Sequence, residues 1–459
     1  MRPSISGPIA SLAVATSIYL PSHAGVQTAV APEPVDVGSA AVPAVSDSVA
    51  AAAEKSDDEA ADLVAQLPAR RTDDFGLVGV TWNRGFATKG MTVQVRLRTD
   101  DAWTDWKELD VDIHEGETGR DGTEPLWVGS ADGVAVRVTN PTGQRPAGLS
   151  VATIDPGSTT ASPAIHRSSA SGAVTRVADG SPSYTPKPFI ISRSSWGAKK
   201  NTYCDNPRVG NETRGIVVHH TAGSNSYSTS QSAGIVRAVQ AFHMKGRDWC
   251  DIGYNFLVDK YGQIFEGRVG GVDRAVRGAH AGHKGVNLYT MGVSMMGTYT
   301  SSEPAAATKD AMVKLIGWRL GTTFNSATAT YRVGPYTLNR IAGHRNVVST
   351  ACPGAAAYAW LGADGGLRDR VASYIGSYSS PIKTKVAQLG RSATGPVFVG
   401  EYPFSKPMDG RKARLERVDM YSTSYGTFRV GGTYRVGYNS RGGQGGVLGV
   451  PIADLGPPR

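Results

Sequence analysis

A chain of 459 residues is longer than one hydrophobic core usually organises, so two or three compact units joined by linkers are expected. Hydrophobic residues make up 40% and charged residues 19%, which leaves room for globular domains with buried cores. The formal net charge of +9 favours an acidic surface as partner, but no Lys/Arg block or aromatic-basic stripe stands out, and that argues against nucleic acid.

Residues 1–24 read as a secretory signal: Arg2, an apolar run over 9–20, then Ser22-His23-Ala24. Pro21 and His23 stop that run short of the ~20 apolar residues a spanning helix needs, so no stable membrane span is expected after the signal is removed. Residues 25–70 are rich in Ala, Pro, Val and Ser without sustained periodicity and are predicted to be a disordered tether.

Over 71–157 the pattern changes. Val93, Val95 and Leu97 alternate with Gln94, Arg96 and Arg98, and Val134, Val136 and Val138 repeat the period, which predicts a small β-sandwich. Its tryptophans, Trp82, Trp103, Trp106 and Trp127, suit either a core or a sugar-stacking face. A Ser/Ala/Thr/Pro-rich linker follows over 158–185.

The segment 186–378 interleaves strands and helices, predicting a mixed α/β domain with one central sheet. Ile216 to Val218 form an apolar strand that ends on His219 and His220. A helix is predicted over 232–245, with Ile235, Val236, Val239 and Phe242 on one face. Strands are predicted over 253–259, 263–266 and 291–296, and further helices over 304–320 and 355–375. After Ser380 the chain turns Gly-rich, and a β tail is expected over 381–459.

The most telling stretch is Gly343-His344-Arg345-Asn346-Val347-Val348-Ser349-Thr350-Ala351-Cys352-Pro353-Gly354, which carries an imidazole and a thiol on one short segment. With His219 they make two nitrogen donors and one sulfur donor, the ligand types of zinc. Three protein ligands would leave the fourth position open, as catalytic zinc sites do. If Cys352 is a ligand, Cys204 and Cys250 are left to form a disulfide; two unpaired thiols are the alternative.

Residues 189–376 resemble the peptidoglycan recognition protein and zinc amidase family. The matching blocks are Arg193 to Gly197, Val217 to Gly223, Asp251 to Leu257, Phe265 to Arg268, Gly278-Ala279-His280 and Gly343 to Gly354. The resemblance implies a secreted, cell-wall-associated hydrolase of the amide between N-acetylmuramic acid and L-alanine. Its expected partners are peptidoglycan and anionic wall polymers, and a monomer is expected. It also implies that His219, His344 and Cys352 hold Zn2+, that Tyr254 stabilises the developing oxyanion, that Thr350 supplies a polar side chain, and that His280 touches substrate. A non-hydrolytic binder and a wall endopeptidase are the competing readings. The tail is similar to wall-associated repeats named for Leu-Gly-Phe-Pro, here reading Leu448-Gly449-Val450-Pro451 with a remnant at Leu389-Gly390.

His220, one position along the strand, is expected in the core or behind the ligands, His243 in the core, and His283 on an exposed loop.

Overall fold

The computed structural model describes residues 34–45, 62–113, 118–157, 184–200 and 207–456. The signal segment 1–24, most of the 158–185 linker and Cys204 lie outside the described residues. Cys250 is half-buried and disulfide-bonded. Among the described residues no helix is long and apolar enough to cross a membrane.

The N-terminal unit begins earlier than predicted. Strand Asp36–Ala41, inside the stretch expected to be a tether, pairs antiparallel with Ser150–Asp155. It is an edge strand, held by ladder hydrogen bonds with few side chains buried, so it carries little of the apolar signal that marks a strand in sequence. Nine strands of the unit are linked by antiparallel hydrogen bonding around one buried core. The 20-residue strand Leu63–Trp82 has several register shifts along its ladder, which bend a strand and let it serve Leu126–Thr139, Ser150–Asp155 and Asp121–Thr123 in turn. Trp82 and Trp127 are buried, which removes them from any sugar-stacking face, while Arg137 lies over the Trp106 ring at 4.7 Å.

The central domain carries the expected mixed sheet. Its order is Ile264–Glu266, Phe256–Val258, Thr290–Met295, Gly215–His220, Ile341–Gly343, all parallel except the first pair. Helices Ala306–Thr322, Ala355–Gly362 and Leu367–Gly376 cover one face through Leu315, Ile316, Trp360 and Val371. The predicted single helix over 355–375 is two, because Ala363-Asp364-Gly365-Gly366 turns the chain, with Gly365 at φ +68. An unpredicted hairpin, Thr330–Val333 with Tyr336–Asn339, turns at Gly334-Pro335.

Helix Ser232–Ala241 covers the other face, and the predicted apolar stripe of Ile235, Val236, Val239 and Phe242 is buried. That stripe shares one core with Leu77, Trp127, Ala152 and Ile154 of the N-terminal unit. The two units are therefore joined by apolar packing, worth about 1.5–3 kcal/mol for each large side chain fully buried. A Cβ on Gly79 would lie 2.3 Å from the Phe242 ring, so only glycine permits that approach.

The C-terminal unit is helix Pro381–Leu389, the antiparallel strands Val397–Phe404, Gly410–Leu415, Val418–Thr423 and Gly426–Gly431, and helix Gly432–Ser440. Its core gathers Ile382, Val397, Leu415, Val418 and Met420. The two Leu-Gly sites sit in different settings: Leu389 ends a helix and packs on this core, whereas Leu448 is 55% exposed beyond the last helix. Among the described residues the tail is thus one folded unit in which the two Leu-Gly sites are not equivalent.

Candidate metal centre

Parallel strands deliver their C-terminal ends to one edge of a sheet, and functional groups gather there. Gly215–His220 runs beside Ile341–Gly343 with Val218 opposite Gly343, so the next residue on each, His219 and His344, meet at that edge. Their ring centroids are 4.5 Å apart. The turn after His344 returns Cys352 beneath them. Thr350 Oγ1 accepts the Cys352 N–H at 3.2 Å, and Cys352 Sγ accepts the His220 N–H at 3.4 Å.

Ligand atoms of His219, His344 and Cys352 lie within 4.8 Å of one another, all on buried residues. Zinc–nitrogen bonds of about 2.0–2.1 Å and zinc–sulfur bonds of about 2.3 Å at a tetrahedral angle would set donors roughly 3.6 Å apart. The Cys352 Sγ to His219 Nδ1 separation of 3.7 Å fits that spacing. The far nitrogen, His219 Nε2, lies 3.1 Å from His280 Nδ1. This is the arrangement by which a neighbour fixes the tautomer and orientation of a ligating imidazole.

His280, expected at the substrate groove, stands beside His219. It is buried on the side of His219 opposite Cys352, and Asn287 Oδ1 accepts its backbone N–H at 3.0 Å. Thr350 is half-buried, and its hydroxyl oxygen accepts the Cys352 N–H. His283 is a helix cap instead of an exposed loop residue: its Nδ1 accepts from Gly285 and Val286 N–H. His243 stacks on Trp249 in the core, as anticipated, and His220 is buried behind the ligands, with Nδ1 accepting from Tyr299 N–H.

Tyr254, just before strand Phe256–Val258, places its ring centroid 5.3 Å from that of His219. Its hydroxyl donates to Glu124 Oε2 at 2.8 Å. Glu124 belongs to the N-terminal unit, and neither it nor Asp112 was marked by any local motif. Their position follows from pairing. Strands Val111–Asp112 and Asp121–Thr123 form a hairpin with Asp112 opposite Gly122, and Glu124 N–H continues the ladder to Asp110 O at 2.8 Å. Alternation then puts Asp110, Asp112 and Glu124 on one hairpin face. Asp110 Oδ2 is 3.9 Å from His220 Nε2, Asp112 Oδ2 is 2.6 Å from Arg247 Nη1, and Glu124 meets Tyr254. Ligand atoms of Asp112, Glu124 and His344 also fall within 4.8 Å of one another.

Burying these acids together shapes their protonation. Burial pushes the Glu124 carboxyl well up and Asp112 adds to the rise, while the Tyr254 hydrogen bond works against it. Burial likewise raises the Cys352 thiol, with Glu124 adding to it, and raises the Tyr254 hydroxyl. A dication between imidazoles and thiol reverses that logic, since a coordinated thiol is deprotonated outright. Donor types, spacing and the His280 support all fit zinc.

Residues 209–355 match the family described as N-acetylmuramoyl-L-alanine amidase, and residues 32–164 match the Rv3811 N-terminal galactose-binding domain-like family. Peptidoglycan recognition protein 3 of Homo sapiens is 33% identical over 171 residues, 37% of this chain and 45% of that one. Peptidoglycan recognition protein 1 of Bos taurus is 34% identical over 165 residues, covering 36% of this chain and 78% of the relative. Peptidoglycan-recognition protein SC2 of Drosophila melanogaster is 35% identical over 167 residues, 36% of this chain and 80% of the fly protein. The chain spans less than half of the human relative, and each of these relatives covers 36–37% of this chain. With the metal-ligand geometry and these relatives together, the chain belongs to the peptidoglycan recognition protein family.

Proposed function

We propose that this chain is a secreted zinc hydrolase that cuts the amide between N-acetylmuramic acid and L-alanine of peptidoglycan. The observation that carries the reading is the convergence of His219, His344 and Cys352, with Cys352 Sγ 3.7 Å from His219 Nδ1. Zinc, when bound, supplies a Lewis acid that polarises the scissile carbonyl and acidifies water, which answers the difficulty of amide hydrolysis near neutral pH.

The chain's own residues do the rest. His280 holds His219 Nε2, so that Nδ1 faces the thiol. Thr350 fixes the backbone of the cysteine ligand, a positioning role suited to a hydroxyl that is a poor acid. Tyr254 sets its ring beside His219, and its hydroxyl would donate where charge develops on the carbonyl oxygen. To do so it must exchange its present acceptor, Glu124, for the substrate.

The test is digestion of purified peptidoglycan with zinc-loaded full chain and with Cys352→Ser, followed by mass spectrometry of the released fragments. New L-alanine amino termini, lost in the variant, are expected. Cleavage inside the stem peptide would make the chain an endopeptidase. Wall sedimentation with no fragment from either protein would make it a non-hydrolytic binder.

A further inference from the structure

The edge of the sheet that holds His219, His344 and Cys352 is closed. These residues are 0%, 2% and 0% exposed, and Tyr254 is 3% exposed, although a wall polymer needs an open groove to reach them. The cover is the acidic face of the N-terminal hairpin, and its three carboxylates meet three residues of the central domain: His220, Arg247 and Tyr254. Glu124 does more than cover. It occupies the hydroxyl of Tyr254, and with Asp112 it brings a carboxylate oxygen within 4.8 Å of a ring nitrogen of His344, in a trio separate from that of His219, His344 and Cys352.

The cover is also firmly seated. Arg247 is buried, pairs with the Asp112 carboxylate and also donates to Asp112 O at 2.7 Å and Arg120 O at 3.3 Å. Arg120 N–H returns a bond to Arg247 O at 2.9 Å, and Ser224 N–H donates to Trp127 O at 2.9 Å. A Cβ on Gly119 would sit 2.3 Å from Arg247 O, and one on Gly223 would sit 2.8 Å from Trp127 Cβ, so both backbones are in close apposition. Two hydrogen-bonded strands behind Glu124 make this a rigid element rather than a swinging loop.

We propose that the N-terminal unit is a built-in plug, in which the acidic hairpin face, with Glu124 beside His344, blocks access to the metal's open corner and withholds Tyr254 from substrate. The proposal rests on the zinc reading of the site and adds to it that the chain rests in a closed state. Three protein ligands and an open corner are what hydrolysis needs, and a substrate must be able to reach that corner. Opening requires the acidic face of the hairpin to withdraw, which frees the metal's fourth position and the Tyr254 hydroxyl together.

Cobalt(II) in place of zinc reports the coordination by its visible spectrum. Full-length wild type, Glu124→Ala and Glu124→Gln are loaded with cobalt, titrated with acetohydroxamate as a small metal-binding probe, and then challenged with EDTA. Glutamine keeps the size of the side chain, so it guards against a fold defect in the alanine variant. Expected are a probe response in both variants that wild type lacks, and cobalt loss faster by about tenfold or more. Muropeptide release should rise in the variants above the wild-type level. An equal probe response and equal cobalt loss in all three proteins would overturn the role of Glu124 while leaving the metal centre standing. Release that falls in both variants would instead make Glu124 part of the catalytic machinery and overturn the plug. Failure of every protein to bind cobalt would overturn the metal centre itself, and the plug with it.

Discussion

Arg247 and Asp112, 135 residues apart in sequence, form a buried ion pair across the domain boundary, with Nη1 2.6 Å from Oδ2. Removing the carboxylate leaves a guanidinium stranded away from water. Breaking a buried pair by deleting one partner typically costs about 3–5 kcal/mol. Asp112→Ala should therefore lower the unfolding free energy of the full chain by that order. The double variant Asp112→Ala, Arg247→Met should recover part of the loss, since an apolar side chain needs no partner. Urea unfolding of the two variants and wild type checks this, and a double variant no better than the single one counts against it.

Gly292 lies on strand Thr290–Met295, and a Cβ there would fall 2.3 Å from His280 Cγ. Gly292→Ala should push His280 off His219 Nε2 and so release the tautomer of a metal ligand. The expected result is a loss of zinc affinity of about 10–100-fold, matched by His280→Ala, because neighbours that orient ligating imidazoles carry effects of this size. Competition with a fluorescent zinc chelator measures it. Unchanged affinity in both variants would remove the positioning role from His280.

The metal centre was legible in the sequence because its signal is local: an apolar strand that ends on His219, and a His-to-Cys segment after a second strand. Strand register then does the assembly, with Val218 opposite Gly343. The acidic cover was not legible. Asp110, Asp112 and Glu124 read as ordinary polar residues, and only the hairpin pairing and the apolar docking of Leu77, Trp127, Ala152 and Ile154 bring them to the site. The same limit applies to Asp36–Ala41, an edge strand with little apolar patterning. The break at 363–366 is different, since Gly365-Gly366 is a local turn signal that the helical pattern on both sides overrode.

Metal removal gives a third expectation. Zinc that binds the folded chain and not the unfolded one adds stability as RT ln(1 + [Zn]/Kd), about 4 kcal/mol at a thousandfold excess over Kd. EDTA treatment should lower the thermal midpoint of the central domain, and zinc should restore it. His344→Ala should melt at the EDTA-treated position and ignore added zinc. A midpoint indifferent to EDTA in wild type would contradict a stabilising ion at His219, His344 and Cys352.

Asp259 holds the turn between Phe256–Val258 and Ile264–Glu266. Its Oδ1 accepts from Tyr261 N–H at 2.9 Å and Gln263 N–H at 2.7 Å, and its Oδ2 accepts from Ser232 Oγ at 2.7 Å and Gln263 Nε2 at 2.6 Å. Burial raises its carboxyl above the ordinary value, and the hydrogen bonds only partly oppose that. A group with a raised folded pKa contributes stability that is present below its unfolded pKa and lost as pH rises through the folded one. The window therefore opens near the ordinary carboxylate value of about 3.9 and closes at the raised value. Asp259→Asn does not titrate, so the wild type should lose stability relative to it as pH climbs through that window, with a constant difference above it. Urea midpoints of the two proteins from pH 4 to 7 measure the difference, in which pH effects common to both cancel. A difference that moves in favour of the wild type as pH rises would show that the four hydrogen bonds outweigh burial at Asp259.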